Sequence, residues 1–209
     1  MEDGKNGKLR GLPIVLSGPS GSGKGTVVRN LLQNYSDFEL SVSVTTRAPR
    51  EKEIDHVHYH FITDEAYEKM EAEGALLEHA GYVGHRYGTP VEEVESRCAA
   101  GINVILEIEM QGAFQIREKR PDAVLIFLLP PSAEVLEARL RGRGTDTEED
   151  IIARLAKARE EIAHADRYDF VLVNEENAAD KTADLVAAIA HAMQHRTEYQ
   201  KNRLAEFLG

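Results

Sequence analysis

Apolar and polar positions follow two different rhythms along this chain. Residues 12–17 (LPIVLS) form a short apolar run that ends in a glycine-rich segment, 18–25, after which Val27, Val28, Leu31 and Leu32 recur at helical spacing. The order is strand, loop, helix. Three further runs, 102–108 (INVILEI), 123–129 (AVLIFLL) and 170–173 (FVLV), each precede a helical pattern. Runs that are apolar at nearly every position suit strands buried on both faces, so the pattern predicts an α/β core: a parallel sheet between two layers of helices. Residues 38–97 read differently. Segments 40–44, 57–61 and 76–82 show strand-like alternation, with Gly and Pro punctuation and a helix at about 64–73 that Thr63 is placed to cap. A small α+β insertion is expected there, between the first and second core strands, at the carboxyl ends where α/β proteins bind ligands.

The remaining segments divide the chain further. Residues 1–10 are polar and lack the apolar centre of a signal peptide. The core is expected over 11–37 and 98–191 and the insertion over 38–97. A lid is expected at about 139–158, where RLRGRGTDTEE joins two helical patterns and looks mobile. Glu148, Glu149 and Asp150 are expected to support the start of the second of these helices. A last helix is expected over about 178–208, polar after Met193, so that 192–209 forms an extension.

Composition narrows the chemistry. With 209 residues, 42% of them hydrophobic and 29% charged, the chain reads as a globular domain with one insertion and enough core to need no disulfide or metal staple. Lys and Arg total 25 against 36 Asp and Glu, a net charge of −11, which argues against a nucleic-acid binder but leaves room for a small anion in one locally basic pocket. Cys98 is the only cysteine, so no intrachain disulfide forms and a reducing, cytoplasmic setting is expected. No run approaches the ~18 apolar residues of a membrane span.

The segment Gly18-Pro19-Ser20-Gly21-Ser22-Gly23-Lys24-Gly25-Thr26 lies between a predicted strand and a predicted helix. Glycines let consecutive N–H groups point at one phosphate, the helix start adds its dipole, and Lys24 supplies a full charge. This is a P-loop, with Gly25 where the strict motif has Ser or Thr. Within the insertion, Arg47 and Arg50 stand three apart around Pro49, and two guanidiniums can converge on a second phosphate. His56, His58 and His60 alternate, so a strand would place all three on one face and Tyr59 on the other. Such a face could hold a metal, but a solvated face is the simpler expectation.

The chain resembles the guanylate kinases from about residue 11 to 191, at GPSGSGKGT, SVSVTTRAPR, Tyr59 in HYHF, Glu78 in LLEHA, YGTP at 87–90, LEIEMQG at 106–112 and RGRGT at 141–145. That family transfers a phosphoryl group from ATP to GMP with Mg²⁺. The resemblance implies that Arg47, Arg50, Tyr59 and Tyr87 hold the GMP phosphate. It implies that Ser43, Glu78 and Thr89 read the guanine, with Glu107 nearby. Residues 18–26 with Arg139 and Arg143 would bind ATP, and Arg139, Arg143 and Arg154 would close over the transferring group. Lys24, Arg47, Arg143 and Arg154 would then be the catalytic cations. With no hydroxyl at Gly25, Mg²⁺ is expected to be held by phosphates and water, with help from Glu107. A carboxylate such as Glu78 suits guanine, whose N1–H and N2–H₂ are parallel donors, whereas adenine would leave it unpaired. The alternatives are a nucleoside monophosphate kinase of another base specificity and a non-catalytic module that binds phosphopeptides; a GTPase would have no use for the insertion. ATP and GMP are the expected partners, with no nucleic acid or membrane, and a homo-oligomer is left open.

Overall fold

The computed structural model describes residues 9–82, 84–142 and 147–208. The first half of the chain runs β1 (Pro13–Ser17), α1 (Lys24–Asn34), β2 (Phe38–Leu40), β3 (Val44–Thr45), β4 (His60–Phe61), α2 (Asp64–Ala72), β5 (Leu76–Tyr82), β6 (His85–Pro90) and α3 (Val91–Ala99). The second half runs β7 (Asn103–Glu107), α4 (Met110–Lys119), β8 (Val124–Leu129), α5 (Ala133–Arg141), α6 (Glu148–Ala163), β9 (Phe170–Val173), α7 (Ala179–Gln194) and α8 (Lys201–Leu208).

Five strands form one parallel sheet in the order β2-β7-β1-β8-β9. The pleat sends successive side chains to opposite faces, and across the three central strands both faces are buried. Ile14, Leu16, Ile105, Val124, Ile126 and Leu128 meet Val27 and Leu31 of α1 and Val186 and Ala190 of α7. Val15, Val104, Leu106, Leu125 and Phe127 meet Val94 and Cys98 of α3 and Ala113 and Ile116 of α4. This two-sided burial is why the core strands read as unbroken apolar runs. It also fixes the thiol: burial pushes Cys98 up to about 12, which leaves it inert.

A second sheet, β4-β3-β6-β5, rises from the carboxyl end of the first. Its β5–β6 and β3–β6 pairs are antiparallel, and Val44, Tyr67 and Leu76 form its small core. Thr63 caps α2 as expected, accepting from the Ala66 N–H at 3.2 Å. Thr147 and Asp150 form a reciprocal capping box on α6, whose first turn carries Glu148 and Glu149.

Three expectations need correction. Residues 38–40 belong to the main sheet, because buried Phe38 packs on α1's side of the core and its strand pairs with β7. Residues 54–59 are not strand: His56 adopts φ 62 and the segment closes on itself through His56 N–H to Tyr59 O at 2.8 Å. The last helix is two helices, because the Arg196 N–H and the Gln200 side-chain amide take the carbonyls of Met193 and Gln194 and turn the chain. Among the described residues no helix is long and apolar enough to cross a membrane.

Candidate active site

The loop after β1 is shaped by two glycines that no other residue could replace. Gly18 has φ 144 and a Cβ there would lie 2.3 Å from Leu128 O; Gly23 has φ 97 and a Cβ would lie 2.4 Å from Asn174 Nδ2. Gly23 is also the N-cap of α1 and offers no side-chain acceptor, so the leading amides of the helix are left for an anion. Lys24 arches back so that its ammonium donates to the carbonyls of Gly18 and Pro19. Buried Asn174 braces the loop from behind, donating to Ser22 O at 2.9 Å and accepting from Thr182 Oγ1 at 3.1 Å. Sequence reading missed Asn174; the available signal was a polar residue directly after an apolar strand.

A cleft of about 990 Å³ opens over this loop, lined by the loop itself and by Ser43, Tyr59, Thr89, Glu107 and Arg154. Residues proposed for opposite ends of the reaction therefore share one space. Arg154, on α6, donates to Ser20 Oγ at 3.3 Å, and Lys157 one turn on meets Glu109 at 2.9 Å across the cleft. Arg139 lies on the loop's flank and donates to Gly21 O and Ser22 O at 3.3 and 3.4 Å. Arg143 lies outside the described residues. Glu107 ends β7 at the cleft floor; solvent reaches it, yet surrounding protein raises its carboxyl pKa while the charge of Lys24 pulls it down.

Glu78 sits deeper, 5% exposed, on β5. Burial raises its carboxyl pKa, and the Thr89 hydroxyl, donating at 2.8 Å, partly opposes this. Space for the carboxylate comes from α4: a Cβ on Gly112 would lie 2.9 Å from Glu78 Oε2. Gly112 falls within the quoted LEIEMQG segment, but only the fold shows what its missing side chain is for.

The second cationic cluster is turned partly away. Arg47 makes a bidentate pair with Glu53 at 2.8 and 2.9 Å, reaches the Tyr87 hydroxyl at 3.3 Å, and lies over the Tyr59 ring at 5.5 Å. The Arg47 guanidinium and the Arg50 N–H hold the Glu53 carboxyl down at about 2. Neither Arg47 nor Arg50 lines the cleft; Arg50 is exposed. The three histidines do not share a face either. His58 Nδ1 accepts from Ile54 N–H at 3.0 Å, whereas His56 and His60 face each other. Among the described residues no group of three His, Cys, Asp or Glu side chains could hold a metal by itself.

A glycine loop between strand and helix, set in a cleft whose far wall is Ser43, Tyr59 and Thr89 of the second sheet, defines a P-loop nucleotide-binding protein. Comparison with known proteins narrows this. The guanylate kinase family model matches residues 10–195. The chain is 52% identical over 176 residues to a guanylate kinase of Sphingopyxis alaskensis, covering 84% of this chain and 80% of that one. It is 46% identical over 199 residues to one of Neisseria gonorrhoeae, covering 95% and 96%. The crystal structure of guanylate kinase from Anaplasma phagocytophilum superposes with a TM-score of 0.70 at 36% identity, over 91% of this chain and 89% of that one. The chain belongs to the guanylate kinase family.

Proposed function

We propose that the glycine loop and α6 hold ATP while the second sheet holds GMP, so that the family's reaction, transfer of the ATP γ-phosphoryl to GMP, runs in the cleft between them. The observation that carries this division is the shared cleft: the loop, Arg154, Tyr59 and Thr89 line a single volume large enough for both phosphate chains. In this reading residues 18–26 and Arg139 bind the donor, with Arg143 added from the segment outside the described residues. Arg47, Arg50, Tyr59 and Tyr87 orient the acceptor phosphate, and Ser43, Glu78 and Thr89 read the guanine, with the Glu78 carboxylate accepting its N1–H and N2–H₂.

Phosphoryl transfer asks the protein for alignment and charge rather than for a nucleophile. Lys24 leaves the Gly18 and Pro19 carbonyls for the donor phosphates and neutralises charge on the transferring oxygens. Arg154 approaches from the other side. Arg47 exchanges one carboxylate partner, Glu53, for a phosphate or is shared between the two. No general base is required, because a phosphate monoester oxygen is already largely ionised near neutral pH.

The family's nucleotide kinases generally use Mg²⁺, and this site fits that ion as one held chiefly by phosphate and water. Gly25 carries no hydroxyl and Glu107 is a single carboxylate at the cleft floor, with Glu109 beside it. When bound, the ion would draw charge from the donor phosphates; Glu107 would orient its water shell. A coupled assay of ADP release with GMP, AMP, UMP and CMP in turn tests the assignment. GMP alone should turn over well, and Lys24→Met should lower kcat by at least about 10²–10³ in a folded protein. Equal use of AMP, or near-normal turnover in the variant, overturns it.

A further inference from the structure

His56 and His60 carry chemistry that phosphoryl transfer does not use. We propose that Asp55, His56, His60 and Glu93 form a proton-sharing chain that positions Tyr59 and ties it to the hinge of the insertion. The inference rests on Tyr59 belonging to the GMP-phosphate grip.

The chain is continuous. His56 Nδ1 lies 2.7 Å from His60 Nδ1, and His60 Nε2 lies 2.7 Å from Glu93 Oε2. The two rings meet edge to face, with centroids 4.9 Å apart, and His56 Nε2 is 3.4 Å from Asp55 Oδ2. Asp55 Oδ1 also accepts from the His56 and Phe61 N–H groups, each at 3.0 Å. Tyr59 closes this turn, its carbonyl accepting from the His56 N–H at 2.8 Å, so the backbone that carries its ring is fixed by the same segment as the histidine pair.

Glu93 is the anchor. Its Oε1 accepts from the Val42 N–H and from Arg97, both at 2.9 Å, and Arg97 reaches on to Leu40 O at 2.8 Å and Glu39 at 3.3 Å. Residues 40–42 are where the chain leaves the main sheet, and α3 is where it returns. One carboxylate thus joins both crossings to β4. The backbone agrees: His56 holds φ 62, a conformation that costs a residue with a Cβ and persists only where its surroundings compensate.

The proton count follows from donor chemistry. A carboxylate only accepts, so His60 carries a proton on Nε2. Neutral His60 then accepts at Nδ1 from His56 Nδ1–H. One added proton is tolerated: His60 Nδ1–H donates to His56 Nδ1, and His56 Nε2–H turns to Asp55. A second would set N–H against N–H, and the pair must part. The charged groups facing the pair are Asp55 from its own turn and, from α3, Glu93 with Arg97 behind it. Acid that charges both rings therefore opens the turn that carries Tyr59.

Calorimetric titration of GMP and of ATP into the full chain, at pH 8 and pH 5.5, tests this with wild type, Glu93→Ala, His56→Asn and Tyr59→Phe. Asn tolerates the left-handed backbone, so His56→Asn keeps the test open should Glu93→Ala not fold. At pH 8 the Glu93 and His56 variants should bind GMP about tenfold more weakly, the worth of a lost hydrogen bond to a charged group, with ATP affinity held within about twofold. The GMP phosphate itself titrates near pH 6, so all profiles share that loss. Wild type should lose more on acidification than His56→Asn does. If Tyr59→Phe weakens GMP binding while Glu93→Ala and His56→Asn match wild type, the positioning role is wrong and the GMP site stands. If Tyr59→Phe also matches wild type, the reading of the GMP-phosphate grip fails with it. Parallel pH profiles of GMP binding for wild type and His56→Asn overturn the shared proton.

Discussion

At the scale of a single residue, the role proposed for Glu78 sets function against stability. Burial holds its carboxyl above the unfolded value of about 4.5, so the ionised form costs folding free energy above the folded pKa, and that cost fades as pH falls toward the unfolded value. Yet only the carboxylate can accept both guanine donors. Glu78→Gln should therefore raise the Tm at pH 7 and weaken GMP use by more than about 2 kcal/mol, with the KM for ATP unchanged. The Tm gap between variant and wild type should close as the buffer is taken from pH 7 toward pH 4. Gly112 gives the complementary case. Gly112→Ala adds a good helix former to α4, worth up to about 1 kcal/mol, while its methyl displaces the Glu78 carboxylate. A stable protein with a KM for GMP raised about tenfold is the expected result, and steady-state kinetics beside thermal melts will show whether it holds. Both residues stand in quoted motifs, but the contact between them spans two elements and appears only in the fold.

At the scale of elements, what could be read from sequence depended on how each segment is satisfied. β1, β7 and β8 were legible because helices cover both faces of the sheet centre, so nearly every position is apolar; β9 was legible as an apolar run although, at the sheet edge, its Val171 and Val173 are exposed. The glycine loop was legible because its strand, turn and helix are contiguous. Residues 54–59 were not, because that turn is closed by side chains, Asp55 and the histidines, that a period-2 pattern misreads as strand. The spacing of Arg47 and Arg50 was legible, but the pairing of Arg47 with Glu53 was not. α6 carries a separate test. Its Arg154 reaches Ser20 and its Lys157 reaches Glu109, so the helix already leans across the cleft. If these contacts strengthen when both nucleotides are present, Arg154→Ala should lower kcat far more than it weakens GMP binding. A surface pairing alone would cost less than about 1 kcal/mol, and pre-steady-state kinetics separate the two outcomes.

For the whole molecule, the division into a parallel core and a mixed second sheet was legible from the change of rhythm near residue 38, though the boundary falls after β2. The order of strands was not, since a strand's apolar character does not name its neighbours. That order has a consequence for how the chain comes to be folded. β1 lies between β7 and β8, so Ile14 meets Ile105 and Val124, about 90 and 110 residues further along. The strand that leads into the glycine loop cannot be sheltered until the entire second sheet has been made. The β5–β6 hairpin needs only its own neighbours. Contacts so distant in sequence are formed late, while local ones form early. Pulse-labelled hydrogen exchange during refolding should show the Ala80 and Tyr87 amides protected before those of Val15 and Leu16. The strand that leads into the glycine loop is the first part of the core to be synthesised and among the last to find its place.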